Sequence, residues 1–280
     1  ISKSEVSRIC RELDVDMEAF RGRPLNHVDF PYVFADATYI KGRVGGRVVS
    51  RAVVVATGVT ATGDREVLGV DVGDSEDGAF WTAFLKGLRA RGLAGVQLVI
   101  SDHHLGLKGA IAAVFVGASW QRCRVHFMRN VLAKVPKASA EMVAAAVRTV
   151  FAQPDAAHVR SQLVEVTHML RSQFPDMATM LADAAEDLLA FCAFPQAHWR
   201  KLWSTNPLER LNGEIKRRTN VVGIFPNDAA IARLVTAVCV ETHDEWAVAE
   251  RRYLSEESMA KLYAPTPEPT NEEAPLAITA

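Results

Sequence analysis

Apolar positions along the chain follow two different periods. Residues 32–39, 48–58 and 66–72 are β-branched runs separated by the glycine-containing segments GRVGGR and TATGDR, which predicts antiparallel neighbours joined by tight turns. The period then changes at residues 75–91, where Phe80, Phe84 and Leu88 recur at i, i+4 and i+8 and predict a helix. A short, fully apolar run at 96–100 reads as a buried strand, 107–115 as a helix and 120–125 as a further strand. The predicted order is β-β-β-α-β-α-β. Residues 127–194 are Ala-rich with Met and Leu at helical spacing and are broken at Pro136, Pro154 and Pro175, so an all-α insertion is expected there. Helices are also predicted at 207–219 and after Pro226. At the N-terminus, residues 2–20 read as a helix with Ser2 or Ser4 as cap and Val6, Ile9, Cys10 and Leu13 on one face. Beyond residue 263 the sequence APTPEPTNEEAPLAITA is expected to be disordered.

With 280 residues and 49% hydrophobic content, the chain can bury a substantial core as one large domain or two smaller ones. A formal net charge of -1 leaves no global nucleic-acid footprint, so any such surface must be local. Cys10, Cys123, Cys192 and Cys239 are scattered without a CxxC pair, which argues against a disulfide framework or a four-cysteine zinc site and for a reducing, cytoplasmic setting. No apolar run approaches the roughly 20 residues that span a bilayer, so no membrane partner is expected. The chain opens on Ile1 in mid-pattern, and an upstream segment is expected.

Three acidic residues organise the candidate chemistry. Asp36 and Asp102 follow strand-like runs, and Glu209 opens a basic helix. The arrangement fits carboxylates drawn from distant segments to hold divalent metal ions, with Mg²⁺ the natural hard cation. Each also has a plainer role open to it. Asp36 can make a turn hydrogen bond, Asp102 can cap the next helix, and Asn206, Pro207 and Glu209 fit a capping box at N-cap, N1 and N3. A cap does not explain the polar stripe Asn206, Glu209, Asn212 and Lys216, nor the cations Arg210, Arg217 and Arg218 suited to phosphates. Cys123 and His126 form C-R-V-H between Arg122 and Arg129, with no second pair to complete a zinc site. Trp199 and Trp203 can be core packing or can stack on an unpaired base. Together these features point to metal-dependent phosphoryl transfer on nucleic acid.

The segments DATYIKGR, ISDHHLGLKGAI, WQRCRVHFMRN and STNPLERLNGEIKRRTNVVGIFPN resemble the Mutator-type transposase family of bacterial insertion sequences, DDE class, over residues 2–263. The element order and the resemblance both imply an α/β fold, a ribonuclease H-like mixed sheet flanked by helices and interrupted by an all-α insertion. The implied parts are a remnant of an N-terminal helical DNA-binding region at 1–29, the catalytic domain at 30–126 and 204–263, the insertion at 127–203 and a tail at 264–280. Asp36, Asp102 and Glu209 match the catalytic, metal-binding acids, which are expected to converge, and Cys123 and His126 match a C-x-x-H element supported by Asn206. Arg210, Asn212, Lys216, Arg217, Arg218, Arg122, Arg129, Trp199 and Trp203 are the candidate DNA contacts. Implied besides are two Mg²⁺ ions, replaceable by Mn²⁺, double-stranded DNA as partner, a homodimer or higher oligomer on DNA, and a cytoplasmic, nucleoid-associated location in bacteria. The chain departs from the pattern at His103, His104 and Leu105, and most of the usual N-terminal DNA-end-binding region is absent. A ribonuclease H-like nuclease without strand transfer and a truncated, inactive DNA-binding or dimerisation protein are the alternatives.

Overall fold

The β-branched runs pair as a meander in the computed structural model, which describes residues 2–264. Strand β1 (Tyr32–Val44) pairs antiparallel with β2 (Arg47–Val59), and β2 with β3 (Arg65–Gly73). Gly45 and Gly46 turn the first hairpin with φ of 55° and 82°, a region that residues with a Cβ rarely adopt. On the other side of β1, β4 (Leu98–Ser101) and β5 (Ser119–Arg122) join in parallel, giving the sheet order β3-β2-β1-β4-β5. Parallel strands need crossovers, and α3 (Leu105–Val114) joins β4 to β5 after α2 (Gly78–Ala90) has brought the chain from β3 to β4. The α/β class and the predicted element order are both found.

Alternation along the strands divides the core between two faces. Val33, Ala35, Val54 and Val99 point to one face and pack with Trp81 and Leu85 of α2 and Ile111 of α3. Tyr32, Phe34, Val53, Val55, Leu98 and Ile100 point to the other. That second face continues without a break into the helical part of the chain: α4 (Arg124–Leu132), α5 (Lys137–Val150), α6 (Ala156–Arg171), α7 (Pro175–Asp183) and the short α8 (Ala185–Leu188) and α9 (Trp199–Leu202). Among the described residues, this stretch contains no strand. Its prolines mark helix starts: Pro136 immediately precedes α5, Pro154 precedes the Asp155 cap of α6, and Pro175 opens α7.

The chain then returns to the same face through α10 (Asn206–Val222), α11 (Asp228–Ala247) and α12 (Glu256–Tyr263). Leu208, Leu211 and Ile215 of α10 and Ile231, Val235 and Val238 of α11 are buried there. Helix α1 (Lys3–Gly22) is capped by Ser2, which accepts from the Glu5 N–H, and lies against α11. None of its residues is buried, and Asp14 meets Arg233 through two 2.7 Å bonds. No described helix is long and apolar enough to cross a membrane.

Two boundaries correct the sequence expectation. Strand β1 runs on to Val44, so Asp36 stands inside the strand, opposite Val55, and not at its end. The strand predicted at 120–125 stops at Arg122 and α4 starts at Arg124, which puts His126 on a first helical turn. The tail expected beyond 263 lies outside the described residues, apart from Ala264.

Candidate active site

The parallel ladder brings Asp36 and Asp102 to the same level. Strands β1 and β4 pair in register from Tyr32 with Leu98 to Phe34 with Ile100, and each aspartate lies two residues past the last pair. By the period of two, both belong to the face carrying Phe34 and Ile100. Because β4 ends at Ser101 while β1 continues, the edge of β1 beside Asp36 is left open for other groups.

Helix α10 supplies the first of them. Asn212 donates from Nδ2 to Asp36 Oδ2 at 2.6 Å, and the Ala37 N–H donates to Oδ1 at 2.9 Å. Despite these bonds, burial pushes the Asp36 carboxyl up to about 6, with the Asp102 charge adding to the rise and Ala37, His126 and Lys216 opposing it. Asn212 Oδ1 is buried without a partner. Asp102 is more open. Its Oδ1 accepts from the His103 N–H at 2.6 Å and its Oδ2 lies 3.9 Å from His126 Nδ1. The capping role considered for Asp102 belongs to His104, whose Nδ1 accepts from the Leu107 N–H at 3.2 Å. Asp102 is therefore free for other chemistry.

Cys123, His126 and Thr205 tie the end of β5 to the start of α10. Thr205 approaches Cys123 Sγ with both its N–H and its hydroxyl at 3.4 Å. Burial alone would push the thiol up, but bonding to His126 and Thr205 outweighs it and holds the Cys123 pKa below the usual thiol range. In turn, Cys123, then Asp102 and Asp36, raise the His126 pKa against its burial. Thr205 was missed in the sequence, where a threonine ahead of a helix reads as an ordinary cap. It does hold the N-cap position of α10, but its side chain makes no cap bond.

That finding corrects the capping box. Helix α10 begins one residue earlier than expected, so Asn206 is the first helical residue and Glu209 the fourth. Glu209 is exposed, three residues before Asn212 and so on the same side of the helix about 4.5 Å along the axis. Among the described residues, no group of three His, Cys, Asp or Glu side chains stands ready to hold a metal ion. The fold brings Asp36 and Asp102 together, with Glu209 on the helix that touches Asp36 but not gathered with them.

The cations expected to meet DNA divide into two sets. Arg217 is held by Glu214 at 2.8 Å, Arg218 by Glu241 at 2.5 Å, and Arg210 lies 3.6 Å from Glu245. Lys216 is exposed and acts on Asp36. Asn212, expected to touch DNA, is buried and holds the aspartate. Arg129 and Asn206 are exposed, while Arg122 lies 4.8 Å over the Phe127 ring. Trp199 is a core side chain whose indole N–H donates to the Phe194 carbonyl at 2.8 Å. Trp203 is half-buried, edge-on to Phe151 and Phe191, with the Arg124 guanidinium 4.1 Å above its ring. Stacking on a free base is thus not available to Trp199.

Comparison with known proteins follows the same outline. The profile of the family described as Transposase, Mutator family, matches residues 1–249. The chain is 49% identical over 264 residues to the transposase for insertion sequence element IS1081 of Mycobacterium tuberculosis, covering 94% of this chain and 63% of that protein. It is 42% identical over 247 residues to the IS406 transposase of Burkholderia multivorans, 88% of this chain and 63% of the relative. With the IS256 transposase of transposon Tn4001 from Staphylococcus aureus it shares 36% identity over 258 residues, 91% and 66% of the two chains. The chain thus spans a little under two thirds of the length of these relatives. By the extent of the match and the level of identity, it belongs to the Mutator family of transposases.

Proposed function

We propose that this chain carries the catalytic centre of a DNA transposase that cleaves phosphodiester bonds at insertion-sequence ends and joins the freed 3′-hydroxyl to target DNA. The observation that carries the reading is the placement of Asp36 and Asp102 at one level past the parallel ladder, with α10 and Glu209 alongside. A mixed sheet in the order β3-β2-β1-β4-β5, with only the first three strands antiparallel, supports a ribonuclease H-like fold of the DDE class. The all-helical stretch between β5 and α10 supports an insertion at 127–203 within a catalytic domain formed by 30–126 and 204–263. Residues 1–29 would be the end of an N-terminal DNA-binding region.

The residues present fit a hard divalent cation. Asp36 is partly buried, raised in pKa and set against a second carboxylate, a surplus of negative charge that a cation relieves. Asp36 and Asp102 would hold Mg²⁺, or Mn²⁺ in its place, and Glu209 would join them once DNA draws α10 inward. When bound, a pair of such ions activates the attacking oxygen and stabilises the leaving one. The protein's own groups do the rest. Asn212 fixes the Asp36 rotamer, Thr205 and Cys123 orient His126 beside Asp102, and Lys216 offers a cation to a phosphate near Asp36. Double-stranded DNA would be the partner, engaged by a homodimer or higher oligomer in the bacterial cytoplasm.

A labelled insertion-sequence end incubated with Mg²⁺ and target DNA tests the reading. We expect cleaved and joined products from the wild type and neither from Asp36→Asn or Asp102→Asn. Cleavage without joining would make the protein a nuclease, and full activity in both variants would overturn the assignment.

A further inference from the structure

We propose that the cleft lined by Arg124, Arg148, Arg200 and Lys261 binds an unpaired nucleic-acid strand, at a site separate from the carboxylate pair. The cleft measures about 1250 Å³ and lies between the helical part of the chain and the end of α12. No Asp or Glu lines it. None of its four cations forms an ion pair with a carboxylate among the described residues. The contrast with α10 is direct, because there Arg210, Arg217 and Arg218 each face a glutamate.

Like charges gathered without counter-charge repel, and burial makes the repulsion stronger. Arg124 shows this: burial lowers its pKa and neighbouring Arg148 lowers it further, although the Cys123 side acts in the opposite sense. Its guanidinium is half-buried, 4.1 Å over Trp203 and 4.9 Å over Phe151. Arg124 is thus met by a chain that enters the cleft, while Arg148, Arg200 and Lys261 stand exposed around it. Cations along a groove walled by Phe151 and Trp203, with Arg124 laid over both rings, offer a single strand charges for its phosphates and a planar guanidinium–aromatic surface for a base. This site is one that the carboxylate chemistry does not use. In a transposase its occupant would be the strand left unpaired beside a cleaved end, so that context rests on the function proposed above while the binding does not.

The test measures anisotropy of a short labelled oligothymidylate, and of the matching duplex, with EDTA present so that metal chemistry plays no part. Arg148 and Arg200 are exposed, so Arg148→Ala with Arg200→Ala should fold, and its melting temperature verifies that. We expect the double variant to bind the single strand about tenfold or more weakly, with the log–log salt slope reduced by about 1.4, that is about 0.7 for each of two lost phosphate contacts. Duplex binding should be unchanged. Wild-type single-strand affinity and slope in a folded double variant would overturn the inference, as would equal losses for both probes. Because cleavage is assayed separately, an inactive wild type that still shows the single-strand effect would sink only the transposase reading.

Discussion

A partly buried carboxylate that stays charged must be held by donors, and Asp36 has two, Ala37 N–H and Asn212 Nδ2. Neither lifts the penalty of its burial, so its carboxyl sits near 6, above the ordinary 3.8. A group whose folded pKa is raised in this way binds its proton more readily in the folded state, so it costs stability above about pH 6, and the cost fades as pH falls towards 3.8. Asp36→Asn should therefore raise stability at pH 7 by an amount of order 1–3 kcal/mol while abolishing cleavage. Asn212 can turn its unpartnered Oδ1 towards the new amide. Urea unfolding of the two proteins should show a gap that narrows from pH 7 to pH 5. A gap constant with pH would mean that Asp36 ionises like a surface carboxylate. Asn212→Ala leaves the aspartate in place but frees its rotamer, and loss of such an orienting group should lower cleavage by about 10–100-fold. Full cleavage by that variant would remove Asn212 from the site.

At the scale of elements, α10 does two things at once: its apolar stripe packs on the sheet, and Asn212 and Lys216 of its polar stripe act on Asp36. Glu209 is exposed and takes no part in a cap, so Glu209→Gln should change stability by no more than about 0.5 kcal/mol while removing Mg²⁺-dependent cleavage. If cleavage persists, Glu214, a little further on the helix, becomes the next candidate. Lys216→Ala should weaken duplex binding more than Arg217→Ala, because Arg217 is already engaged by Glu214 and must leave it to reach a phosphate. Each loss amounts to at most about one counterion in the salt dependence, and an equal effect from both would argue that the Arg217–Glu214 pair opens freely. Much of this was legible beforehand. The order of elements, the helical stretch and the positions of both aspartates after strand-like runs followed from period and position, since Tyr32 to Asp36 and Leu98 to Asp102 are short local patterns. What escaped was set by partners distant in sequence. Gly42 looked like part of a turn, yet it continues β1 opposite Val49, and Phe225, far along the chain, bonds to Lys41 and Arg43 beside it. Asn206 was read as the cap of α10, yet Thr205 holds that position and turns to Cys123, 82 residues away. Asn212 looked like a DNA contact until the sheet put Asp36 beneath it.

Across the whole molecule, Asp36 lies in β1, Asp102 just past β4, and the glutamate on a helix that returns only after the long helical stretch, so the proposed metal binding would be coupled to tertiary structure. Sheet and helix share one apolar core, in which Phe34 and Ile100 lie in the same cluster as Leu208, Leu211 and Ile215. A cation held by Asp36 and Asp102 and then joined by Glu209 would bind the folded chain and not the unfolded one. It would stabilise the fold by about 2.7 kcal/mol when present at a hundred times its dissociation constant. The melting temperature should thus rise with Mn²⁺ or Mg²⁺ and return on adding EDTA. It should not respond in Asp36→Asn or Asp102→Asn, because each lacks one of the two carboxylates that the fold already brings together. Glu209→Gln separates two mechanisms. If the glutamate joins only when DNA draws α10 inward, this variant should respond to metal as the wild type does without DNA and fall short of it only when DNA is added. If α10 closes on the metal by itself, the variant's shift should be smaller even without DNA. A wild type whose melting temperature ignores both cations, with and without DNA, would remove the metal site from this chain.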